Sequence, residues 1–244
     1  MSIEDSFPGA TALAGGAGDF EAIAKIYLRA AEAMGAFAQA GGLTCPAGCG
    51  SCCERFIPDL LPIEAEWMAA WLIHHDPARA LELALIGFGT HEREAATCPF
   101  FVASGPLHCG IYGGRGLLCR LFGYSALPDK EGRVAFALCA HMPSRASEAR
   151  QWKGADIEGE FGALPPLMTD FAAELDALRP TEGQARRLLF DALPDALRRQ
   201  YLRMNYGALA IDDDSGAVKA EAVLVLTARS ADPRLDEGPE LPLV

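Results

Sequence analysis

The sequence predicts a mainly α-helical fold with short β-hairpins, in which helices jacket an irregular cysteine-rich core. Three observations carry this. Apolar residues recur at spacings of three and four in the flanking parts of the chain, as on one face of a helix. Across residues 98–139 the texture changes to short extended pieces broken by turn residues. Four of the eight cysteines, Cys45, Cys49, Cys52 and Cys53, fall within nine residues, with Gly48, Gly50 and Ser51 between them. With 244 residues and 50% hydrophobic content, the chain can bury a core without covalent staples.

Residues 1–18 are rich in Gly and Ala, show no sustained period and read as a flexible lead-in. Phe20, Ile23, Tyr27, Ala31, Met34 and Phe37 then mark one stripe of a helix beginning near Asp19, which Gly41-Gly42 can end. Pro62 suits the first turn of a helix carrying Trp67, Met68, Trp71 and Leu72 on one side. Asp76 can cap the next helix with Pro77 at its first position, and Leu81, Leu85 and Phe88 supply its buried face through about Glu94. His74, His75 and His91 on these helices read as polar surface or satisfied core residues.

The segment 98–102, a turn at Ser104-Gly105 and the segment 109–112 read as a hairpin that sets Cys98 nearly opposite Cys109. A second hairpin takes 121–127 as one strand, turns at 128–132 and returns through Val134, Phe136 and Leu138; it would bring Cys119 and Cys139 together across its base. The remainder is helical. Phe171, Leu175 and Leu178 mark a helix before Pro180, and Leu188, Leu189, Leu197, Tyr201 and Leu202 mark another that Pro194 interrupts. Residues 208–211 and 218–226, around a solvated turn of three aspartates, fit either a hairpin or a helix. The expected organisation is thus a lead-in (1–18), helices plus the cysteine cluster (19–145), a C-terminal helical jacket with a possible hairpin (146–230) and a tail (231–244).

Net charge is -12 at pH 7, and no basic stripe with interleaved aromatics appears, which disfavours nucleic acid as a partner. No apolar run reaches the roughly 18 to 20 residues of a membrane span. The acidic start has no basic n-region and apolar run, so a cytoplasmic location is expected, and with it reduced thiols. The partner is then a protein or small-molecule substrate that the sequence leaves unknown.

Thiolates as close as Cys45, Cys49, Cys52 and Cys53 can turn toward one soft cation, with the small residues letting the backbone wrap it. Eight cysteines divide into two sets of four, or make one four-cysteine site plus spare thiols. The vicinal Cys52 and Cys53 diverge in an extended backbone and so can serve separate sites. Arg55, Arg115 and Arg120 near the thiols would offset their negative charge. Three other readings compete. A disulfide framework suits short secreted chains rather than this one. The spacing Cys45-x3-Cys49-x2-Cys52 matches the cluster loop of radical S-adenosylmethionine enzymes, but helices and more cysteines follow it where alternating strands and helices should. Nucleophilic or redox cysteine chemistry would draw on His108-Cys109 or Cys139-Ala140-His141.

The run Cys45-x3-Cys49-x2-Cys52-Cys53, then Cys98-Pro99-Phe100, then Cys109-x-Ile111-Tyr112-x2-Arg115-x3-Cys119-Arg120, closed by Cys139, resembles the YkgJ-like cysteine-cluster family with its CxxCxxCC signature. The resemblance covers about residues 45–142. Two departures stand out: a first gap of three residues where many members have two, and Gly116 in place of the proline that commonly follows the arginine. The resemblance implies zinc or iron chelation, and some larger relatives resemble flagellin lysine N-methylases. On this reading Cys45, Cys49, Cys52, Cys53, Cys98, Cys109, Cys119 and Cys139 are metal ligands, with Tyr112, Arg115 and Arg120 orienting them or offsetting charge. The compact spacing favours an iron-sulfur cluster, 4Fe-4S in type, with a redox or protein-modification role. Structural zinc, or a metal-dependent modifying enzyme, is the alternative, and whether the chain is an enzyme stays open.

Overall fold

The computed structural model describes residues 17–104, 108–143, 150–179 and 185–207. The lead-in before residue 17, the turn residues 105–107, the segment 208–230 and the tail lie outside them. By its contacts the chain divides into one unit of residues 1–200 and a second of 201–244.

The architecture is mainly helical, with two small antiparallel sheets among the described residues. Helix α1 (Ala17–Gly41) opens it and stops at Gly42, whose φ of 58° an L-side chain rarely adopts. Its buried face is Phe20, Ile23, Ile26, Tyr27, Ala30 and Phe37. Ala31, expected inside, is exposed, and Ile26 and Ala30 take its place because 3.6 residues per turn rotates the stripe by part of a step. A four-residue helix α2 (Ser51–Glu54) and a short strand β1 (Asp59–Leu60) lead to α3 (Pro62–His75), with Pro62 in its first turn. Helix α3 buries Ile63 to Ala70 and Leu72, so it is covered nearly all round.

Asp76 caps α4 (Pro77–Ile86) as expected, its carboxylate accepting from the Arg79 amide at 3.0 Å. The buried face differs from the expected one. Leu81 and Leu85 are exposed while Ala80, Leu83, Ala84 and Phe88 are buried, and Gly87 ends the helix before a separate short α5 (Thr90–Glu94).

The cysteine-bearing middle contains a 3-10 turn (Tyr112–Gly114), α6 (Leu117–Leu121), and a sheet of β2 (Leu127–Pro128), β3 (Val134–Ala137) and β4 (Gln151–Lys153) in that order. After α7 (Ala155–Phe161) and α8 (Met168–Ala177), strand β5 (Arg187–Leu188) pairs antiparallel with β1 and runs into α9 (Leu189–Gly207). Pro194 does not interrupt α9. Its missing N–H would have bonded the Phe190 carbonyl, and the Arg93 guanidinium donates to that oxygen instead, at 2.9 Å.

Among the described residues, two apolar clusters hold the first unit together. In one, α1 packs Phe20, Ile23 and Tyr27 on Leu61, Trp67, Leu117, Leu121 and Leu175. In the other, Phe37 meets Phe136 edge-on with centroids 5.1 Å apart, Phe161 meets Phe136 and Trp152 edge-on, and Phe136 stacks on Trp152. Each such side chain contributes about 1.5–3 kcal/mol on burial. No helix among the described residues is long and apolar enough to cross a membrane.

Candidate functional site

The eight cysteines are all free thiols. Five of them, Cys52, Cys53, Cys98, Cys109 and Cys119, line one cleft together with Arg115 and the apolar side chains of Phe56, Met68, Phe100, Ile111, Phe122 and Leu189. The thiols arrive from four separate segments. In the 45–53 loop, Gly48 turns at φ 70°, the Cys49 amide bonds the Pro46 carbonyl at 3.1 Å, and Gly50 starts α2, which carries both Cys52 and Cys53. The vicinal pair is therefore helical, not extended. Its sulfurs lie 4.0 Å apart and both face the same cleft.

Cys98 is tied to this loop, because its amide donates to the Cys53 carbonyl at 2.7 Å. It does not face Cys109 across a hairpin. The antiparallel bridge there is Phe101 with Cys109, flanked by the Val102 amide on the His108 carbonyl and the Gly110 amide on the Phe100 carbonyl. The hairpin exists, three residues out of the expected register. Cys119 does not sit at a hairpin base either: it lies in α6, while the second hairpin is β2 with β3, pairing Leu127 with Ala135 and Pro128 with Val134.

Helix α6 is placed by a buried carboxylate that the sequence reading overlooked. Glu64 is fully buried; it accepts from the Leu117 amide at 2.7 Å and from the Leu61 amide at 2.9 Å, and pairs with Arg186 at 3.1 Å. Burial and the neighbouring Glu64 charge push the Tyr27 phenol well above its ordinary value, so it stays a donor, 3.5 Å from Glu64 Oε1. A glutamate three residues into a helix that reaches back to the preceding amide was a legible signal.

Of the three residues expected to support the ligands, Arg115 is the one at the cleft. Its guanidinium lies 3.5 Å above the Tyr112 ring, donates to the Tyr112 carbonyl at 3.0 Å and reaches the Cys119 carbonyl at 3.5 Å. Arg120 does not line the cleft. It lies 4.3 Å over the Tyr27 ring and donates to the Arg115 and Gly113 carbonyls, so it braces the loop that carries Arg115. Arg55 is exposed.

The thiols sort by environment. Cys53 shares its proton with Cys109 and Cys52, which pushes its own value up; the same hydrogen bonds draw Cys52 down to about 6 and Cys109 down to about 7, with Arg115 assisting both. Burial pushes Cys98 up to about 11 and Cys119 up to about 12. The remaining three do not line the cleft. Burial and then the neighbouring Cys49 and Cys139 raise Cys45, whose amide donates to the Tyr124 hydroxyl at 2.9 Å. The Arg150 guanidinium donates to the Cys139 carbonyl at 3.0 Å, and Gly123 lies against the Cys139 side chain.

As the side chains stand, no three His, Cys, Asp or Glu groups among the described residues converge on one point as a bound ion requires. The donor chemistry nonetheless fits a soft metal: soft sulfurs, two of them drawn down from the ordinary thiol range, beside one guanidinium and within apolar walls. Comparison of the chain with family models, with curated proteins and with solved structures finds no match.

Proposed function

We propose that this chain is a metal-binding protein whose thiolates hold an iron-sulfur cluster, with a redox or protein-modification role. The observation that carries the reading is the meeting of five cysteines from four separate segments, residues 52–53, 98, 109 and 119, around one apolar cleft. Ordinary core packing has no use for that. A buried cysteine acting as a small hydrophobe does not need four others beside it, nor a guanidinium that favours its ionised form. The order of all eight cysteines, similar to that of the YkgJ-like family, supports the same conclusion.

Bound there, such a centre supplies electron transfer or Lewis acidity. The residues of this chain hold the thiolates, set Arg115 against their charge, and exclude water through Phe56, Phe100 and Phe122. Anaerobic purification with iron, sulfide and zinc analysis and an absorption spectrum tests the reading. Brown protein with matched iron and sulfide is expected. Colourless protein with stoichiometric zinc overturns the cluster and keeps thiolate coordination; protein that retains neither metal overturns both.

A further inference from the structure

His108 packs directly on the 45–53 loop. A Cβ built on Gly50 would collide with the Phe101 ring and lie 3.0 Å from the His108 Cβ, and one built on Gly48 would lie 3.8 Å from His108 Nε2. Gly50 therefore lets the loop close against the imidazole, which stacks on Phe101 at 6.0 Å between centroids, and Gly48, at φ 70°, turns the loop beside Nε2 in ordinary van der Waals contact. The ring is fixed at one nitrogen and open at the other. Nδ1 lies 2.9 Å from the Val102 carbonyl oxygen, which can only accept, so Nδ1 carries the proton and Nε2 presents a lone pair. That Nε2 is buried and has no hydrogen-bond partner among the described residues. Buried polar atoms left unmatched by protein are rare. The backbone is also held in an unusual state, since His108 is the one non-glycine described residue at positive φ, 48°.

A backbone carbonyl fixing Nδ1–H while Nε2 stays free is the arrangement by which proteins orient an imidazole toward a metal. We infer that His108 Nε2 is a ligand of the metal centre held by the cysteine loop 45–53, making the donor set mixed thiolate and imidazole. This rests on the reading of the cleft as a thiolate metal site, and it adds a donor that cysteine spacing does not contain. The other histidine near a cysteine, His141, is exposed and serves as the comparison.

The test uses the full chain, purified anaerobically and reconstituted with ferrous iron and sulfide, with natural-abundance or 15N-labelled histidine. Pulsed EPR of the reduced protein should show the strong nitrogen coupling of a directly bound imidazole, changing to the 15N pattern on labelling. The variant H108N should lose that coupling and H141N should keep it. Asparagine tolerates positive φ, so H108N preserves the loop, and an unchanged circular-dichroism melt of the metal-free protein verifies this. Cobalt(II) titration of the metal-free chain covers a single-ion site: the d–d absorption band should shift and cobalt affinity fall about tenfold or more in H108N alone. A centre that forms without histidine coupling, with a cobalt spectrum indifferent to H108N, overturns the ligand assignment and leaves the thiolate site standing. A wild-type chain that retains neither iron nor cobalt overturns the thiolate site and this ligand together.

Discussion

Helix α6 joins two buried regions of opposite character. At its first residue, the Leu117 amide ends on Glu64, a fully buried carboxylate whose partners are all protein: two amides, the Tyr27 hydroxyl and the Arg186 guanidinium. Two residues on, Cys119 faces a cleft where the polar groups are thiols that meet one another, one guanidinium and apolar walls. The first region is a closed account of donors and acceptors, as a structural centre must be. The second gathers soft donors that contribute little to folding by being near each other, and like-charged thiolates there repel. The contrast separates what holds α6 in place from what α6 holds.

The largest effect should come from the closed region. Glu64→Ala strands the Leu117 and Leu61 amides and leaves Arg186 without its buried partner, and should cost about 3–5 kcal/mol of unfolding free energy. Urea unfolding of the metal-free protein reads this directly. A loss under about 1 kcal/mol would mean that α6 is placed by its packing on α1 instead. Cys119→Ser should do the reverse. Its cost to the metal-free protein should stay near about 1 kcal/mol, that of placing a hydroxyl where a thiol was buried, whereas metal retention in dialysis against a chelator should fall about 10-fold or more. Equal metal content in the serine variant would remove Cys119 from the ligand set.

The same contrast explains how much the sequence disclosed. Helices with a one-sided stripe or a capped start were legible: Asp76 with Pro77, Pro62, and the Gly42 stop are local signals. So was the 128–132 turn, which Asp129 closes by accepting from the Glu131 and Arg133 amides. Registers were not. Cys98 was expected opposite Cys109, but its amide is taken by Cys53, a partner 45 residues away that no local pattern encodes. Cys119 was assigned to a hairpin base by symmetry about the turn, whereas the Glu64 carboxylate, 53 residues upstream, starts a helix there. Gly116 has a similar cause. A Cβ at that position would lie 2.8 Å from Leu60 and 3.0 Å from Glu64 Oε1, so Gly116 is the residue against which the carboxylate packs. His108 was legible only as a neighbour of Cys109; its buried unpartnered nitrogen and its packing on the 45–53 loop depend on contacts that no local pattern encodes.

Asp129 tests whether burial, rather than the number of partners, gives Glu64 its weight. It is equally well matched: besides the two amides, its carboxylate accepts from Arg133 Nε and Nη2 at 3.1 and 3.0 Å and lies 3.4 Å from Lys153 Nζ, partners that cover it within a turn whose residues 130–132 are exposed. Desolvation pushes this carboxyl upward, but the Arg133 amide and guanidinium, Lys153 and the Glu131 amide outweigh it and hold it well below the usual carboxylate range. A depressed folded value means that the charged turn stabilises the fold above the unfolded value of about 4 and loses that contribution as pH falls toward the folded one. Thermal melts of wild type and Asp129→Asn should therefore differ at neutral pH, with wild type higher, and converge between about pH 5 and pH 2. The neutral-pH gap should be smaller than that for Glu64→Ala, since water replaces lost partners at an exposed turn and cannot do so beneath α6. A gap as large as the Glu64 one would show that partner count governs both centres.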